Sequence, residues 1–102
     1  MAKVHVIARF VAREGRESQL RELLRGMLAP TRAEAGCNLY ELYESDLEGR
    51  FYFNEIWESQ AALDQHAASP HFKHLEKTVG EFLEVPFEVN ILREIAIGAA
   101  AA

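Results

Sequence analysis

Cysteine, proline and positive charge are scarce in these 102 residues. A single cysteine, Cys37, leaves no internal disulfide and no Cys-based zinc cage. That usage fits a reducing cytoplasm. Lys and Arg number 11 against 16 Asp and Glu, a net charge of −5. The balance lacks the basic footprint of a nucleic-acid binder and disfavours docking on anionic lipid. No apolar run nears the roughly 20 residues of a membrane-spanning helix, and the opening MAKVHVIARF lacks a secretory layout. There is no Gly-rich phosphate loop and no Gly-x-Ser-x-Gly elbow. Cys37 follows Gly36 at a strand start, where no helix N-terminus stabilises a thiolate. Nicotinamide and flavin folds need a longer chain. An enzyme of this size and composition is expected to work without a bound organic cofactor, or to borrow one as substrate.

Apolar residues make up 49% and charged residues 26%, the balance of an ordinary globular domain. One domain is expected over residues 1–97, followed by a disordered tail at 98–102. Residues 3–13 alternate: Val4, Val6, Ala8 and Phe10 on one face, His5, Ile7, Arg9 and Val11 on the other. Period two predicts a strand. Leu20, Leu23, Leu24, Met27 and Leu28 form an amphipathic helical stripe within 16–35. Ser18 is its expected N-cap, Pro30 its kink or end, and Gly36 its stop. Strands follow at 37–45 and 50–58, joined by a hairpin loop at 46–49. Ser59 and Ser69-Pro70 start two helical pieces. A last strand runs from Phe87 to Ile97.

The order is β-α-β-β-α-β, the ferredoxin-like α+β pattern: a four-stranded antiparallel sheet with helices on one face. A bare sheet face should be polar. Here Ile7, Val11 and Ile56 fall opposite Val6, Phe10 and Trp57, so both faces are apolar. A second subunit is the simplest cover, and a homodimer packed sheet to sheet is expected.

The third strand sets Phe53, Glu55 and Trp57 on one face. An ionised carboxylate on a core-facing surface is expensive to desolvate. Either Glu55 pairs with a cation at an edge, or the face lines a pocket with Trp57 as a flat wall and Glu55 as a polar handle or base. His66 sits near the buried stripe of the following helix, as a structural residue or, beside a cavity, as a proton handler. His71 and His74, three apart, are a weak metal signal on their own.

These residues resemble the antibiotic biosynthesis monooxygenase family, small dimeric ferredoxin-like proteins that include quinol monooxygenases. VHVIARFVAREGR is similar to the family's first strand and Gly turn. Glu34-Ala35-Gly36-Cys37-Asn38-Leu39-Tyr40-Glu41 resembles its helix-end segment. Phe53 to Ser59, then Ala62-Leu63 and His66, resembles its E-x-W…A-L-x-x-H core, and Ser69-Pro70-His71-Phe72 the segment after it. The likeness covers roughly residues 3–95. It implies a dimer, a pocket between sheet and helices, and O2-dependent oxidation of a quinol-like or polyphenolic small molecule with no metal or flavin. By the same resemblance Trp57 and Phe53 form the ligand wall, Glu55 and His66 handle protons, and His71 and Phe72 rim the entrance. Polyketide-tailoring members carry an Asn where this chain has Phe53. The haem-ligating places of haem-degrading relatives fall at Ala8 and Glu76. Two other readings stay open: a dimer that only binds an aromatic or haem-like ligand, and an isomerase or lyase using the same pocket.

Overall fold

The computed structural model describes residues 2–95. Strand β1 spans Val4–Val11, β2 Cys37–Glu44, β3 Arg50–Trp57 and β4 Glu88–Leu92. Helices are α1 Glu17–Arg25, α2 Leu28–Arg32, α3 Gln60–Ala67 and α4 Pro70–Thr78, the last running into a 3-10 turn at Val79–Phe82. All strand pairs are antiparallel in the order β2-β3-β1-β4. This is the ferredoxin-like α+β arrangement.

The period-two pattern carries through to the sheet. Val6, Ala8 and Phe10 of β1 and Phe51, Phe53, Glu55 and Trp57 of β3 are all buried. They meet Leu20 and Leu24 of α1 and Leu75 of α4, also buried. The opposite face carries Ile7, Val11, Tyr52 and Ile56, all half-buried, and among the described residues no helix packs on it. A His5 Nε2–Asn54 Oδ1 hydrogen bond of 2.7 Å and an Arg9–Glu88 ion pair of 2.8 Å cross the same face.

Both serine caps form. Ser59 Oγ accepts from the Ala62 N–H and Ser69 Oγ from the Phe72 N–H, each at 3.2 Å. Three expectations at helix ends are corrected. Ser18 lies inside α1, whose N-cap is Arg16 without a side-chain cap. The break in the 16–35 stretch falls at Gly26-Met27, not at Pro30, which sits within α2. Proline acts four residues back: it has no N–H for the Gly26 carbonyl and its ring crowds that group. The Met27 N–H turns instead to the Leu24 carbonyl at 3.0 Å. Gly36 is not a left-handed helix stop, for its φ is not positive and α2 has already ended at Arg32. It is glycine because α3 crosses it. A Cβ there would stand 2.3 Å from Ala62 Cβ. Gly49, at φ +86°, supplies the turn between β2 and β3. The final strand is shorter than expected. It ends at Leu92, and the expected end at Ile97 and the tail 98–102 lie outside the described residues.

Candidate functional site

A cavity of about 270 Å³ lies between the sheet and helices α3 and α4. Its floor is Val6, Ala8 and Phe10 of β1, Phe53 and Glu55 of β3 and Tyr40 of β2. Leu63 and His66 of α3 and Phe72 and Leu75 of α4 roof it. Val89 and Ile91 of β4, about half exposed, close the open edge of the sheet. The lining is almost wholly apolar, with Gln60 and Asp64 exposed on α3. The volume is at the small end of ligand cavities, about 300–1,000 Å³, which suits a compact occupant.

Besides the Tyr40 phenol, two buried ionisable side chains face this space. Glu55 is 5% exposed and His66 3%. Glu55 is inward because β3 alternates, and one oxygen, Oε1, accepts the Trp57 indole N–H at 2.9 Å. Burial pushes its carboxyl up to about 7; the indole hydrogen bond opposes the rise, and the charge of Glu34 adds to it. Burial also presses the His66 imidazole below its ordinary value, against the pull of Glu34, which favours the charged ring. Tyr40, stacked on Phe53 at 4.7 Å, keeps its phenol firmly protonated, held by burial and the nearby Glu55.

His66 is held on all sides. Its ring lies 4.6 Å from the Trp57 indole and 5.2 Å from Phe72, centroid to centroid. Its Nδ1 is 2.7 Å from Glu34 Oε2, and His71 Nε2 is 2.7 Å from the same oxygen. Glu34 stands in the turn between α2 and β2, and its N–H bonds the Thr31 carbonyl at 3.0 Å. Ligand atoms of Glu34, His66 and His71 lie within 4.8 Å of one another. As arranged they form a closed hydrogen-bond set, and a cation there would have to displace a proton from each ring.

The structure thus brings Glu55, His66, Phe53 and Phe72 to one cavity. Trp57 and His71 are not on its lining. Trp57 is fully buried at the end of β3, with Glu55 on its N–H and the His66 ring against its face. It braces the two polar groups from behind instead of walling the cavity. His71 turns to Glu34, 21% exposed. His74 is exposed and takes no part in the cluster. Sequence reasoning gave no role to Glu34. It belongs to a non-periodic turn, and its partners are 32 and 37 residues away.

Comparison with known proteins adds the following. The profile of the family described as "Antibiotic biosynthesis monooxygenase" matches residues 3–78. A Mycobacterium tuberculosis protein named "Putative monooxygenase Rv0793" is 47% identical over 89 residues, covering 87% of this chain and 88% of that protein. The solved structure of Rv0793 superposes with a TM-score of 0.88 at 44% identity, over 93% of this chain and 97% of that one. The crystal structure of PA3566 from Pseudomonas aeruginosa gives a TM-score of 0.87 at 31% identity, over 94% and 97%.

Proposed function

Since the chain belongs to the antibiotic biosynthesis monooxygenase family, we propose that it oxidises a compact quinol-like or polyphenolic molecule with O2, using no bound organic cofactor. The observation that carries this reading is the pairing of a buried carboxyl near neutrality with a buried, largely neutral imidazole in one apolar cavity.

The chemistry asks little more of a protein. A quinol becomes electron-rich once its hydroxyl proton leaves, and can then pass an electron to O2. One oxygen atom enters the ring, the other leaves as water, and the substrate supplies all four electrons. Hydroquinone plus O2 balances to hydroxybenzoquinone plus water. His66 removes the hydroxyl proton. Glu55, protonated below about pH 7, donates a hydrogen bond to developing negative charge or returns a proton to reduced oxygen. Phe53 and Phe72 grip the ring from floor and roof. The apolar lining keeps water from competing for the charged intermediate.

Assembly belongs to the same proposal. The uncovered sheet face, with Ile7, Val11, Tyr52 and Ile56, packs against its copy in a homodimer.

The test is O2 uptake by purified protein across a panel of hydroquinones, with 18O2 to follow one labelled atom into product. His66→Ala is expected to slow turnover by about 10²–10⁴-fold. Turnover without O2 would point to an isomerase or lyase, and binding without any product to a sequestering protein.

A further inference from the structure

Resting on the reading of His66 as proton acceptor, we infer that Glu34 is the positioning residue of the site: it fixes the His66 imidazole in the tautomer whose free nitrogen faces the cavity.

Two ring nitrogens, His66 Nδ1 and His71 Nε2, converge at 2.7 Å on a single oxygen, Glu34 Oε2. A carboxylate only accepts hydrogen bonds, so both nitrogens carry hydrogen and donate. In a neutral imidazole the other nitrogen then bears the lone pair. For His66 that is Nε2. Among the described residues it has no protein hydrogen-bond partner, and the ring bonds through Nδ1 alone. Nor is it sealed: among the described residues Thr31 Oγ1 is the one buried side-chain oxygen or nitrogen left without a partner. Nε2 therefore borders open space, and the space His66 lines is the cavity.

The neighbours leave the ring no other choice. Trp57 and Phe72 hold its faces, and Tyr40 stands edge-on at 5.8 Å. The charged or titratable groups around it are Glu34 from the turn, His71 from α4, and Glu55 and Tyr40 from the sheet. None except Glu34 bonds the ring. His71 supplies the second donor, which stops the carboxylate from rotating away from His66. When a substrate hydroxyl gives its proton to Nε2, the O–H electron pair stays on the substrate oxygen. The resulting imidazolium keeps its Nδ1–H on Glu34, and its charge faces a carboxylate. The same division of labour, acid behind and base in front, serves the Asp–His pair of serine hydrolases.

The test reads the tautomer directly. Long-range 1H–15N correlation of 15N-histidine-labelled protein near pH 8, where His66 is neutral, should show Nε2 bare and the proton on Nδ1. In Glu34→Gln the side-chain amide can donate to Nδ1, and the proton should shift towards Nε2. Hydroquinone-dependent kcat should fall on the order of 10²-fold with little change in KM, and Glu34→Asp should restore part of it. A purely structural Glu34 would lower thermal stability and leave the tautomer alone. Finding the proton on Nε2 in the unmodified protein overturns the inference, and that measurement needs no variant to fold. An unchanged tautomer in folded Glu34→Gln also overturns it. The tautomer result stands or falls without reference to O2 uptake, so failure of the monooxygenase reading is seen separately.

Discussion

At the scale of single residues, Glu55 is a carboxyl held in the core against its own preference for water. Its carboxyl is raised from an ordinary 4.5 to about 7, chiefly by burial. Between those values the folded chain holds a proton that the unfolded chain has released. Stability therefore falls as pH rises through that window, by on the order of 3 kcal/mol once Glu55 is ionised in both states. Glu55→Gln keeps an oxygen for the Trp57 N–H and cannot ionise. We expect the variant to match the parent near pH 4.5 and to exceed it above pH 7. The gain in unfolding temperature should exceed about 10 °C at pH 8, measured by calorimetry. A variant that gains nothing between pH 5 and pH 8 would show that the carboxyl is not held neutral. Such a residue persists at a cost to stability, the mark of a group kept for something other than folding.

At the scale of elements, the strands were legible because alternation is strict. Val6, Ala8 and Phe10, then Phe51, Phe53, Glu55 and Trp57, announced their face without any help from tertiary structure. Helix ends were less so. Pro30 exerts its effect on Gly26, four positions away from where it is read. Gly36 looks like a stop in one dimension, but its small size answers a contact with Ala62, which only the folded chain brings near. That contact is testable. Gly36→Ala sets a Cβ 2.3 Å from Ala62 Cβ, so α3 must lift off the strand or the strand must bend. Overpacking of this kind costs about 1–3 kcal/mol. Urea unfolding should show that loss, and adding Ala62→Gly should recover most of it. Because α3 carries His66, the single variant should also blunt turnover more than its stability loss explains.

At the scale of the whole molecule, the chain builds one face well and leaves the other unfinished. Helices cover Trp57, Phe10, Phe51 and Phe53, while Ile7 and Ile56 lie on a face that no helix of the described residues covers. The homodimer proposed above predicts a solution mass of twice the chain by light scattering. Ile7→Glu and Ile56→Glu should each drive it towards monomer, because a carboxylate in a dry interface goes unpaired. A monomer in the parent protein would end that part of the proposal. The site divides along the same line of legibility. Glu55 and His66 could be picked out because each is a polar residue on an apolar stripe. Glu34 could not, since its meaning depends on a turn, a helix and a second histidine arriving at one oxygen. Alternation puts Trp57 on one face with Phe53, as a wall would be, but alternation carries no sign of the His66 ring that lies against it.

That covered indole has a further consequence. It is the chain's sole tryptophan, joined through its N–H to one proposed proton carrier and in ring contact with the other. Light emitted at this one ring reports on both groups at once, with no second chromophore of its kind to dilute the signal. The protein comes with an optical gauge already mounted at the centre of its own chemistry.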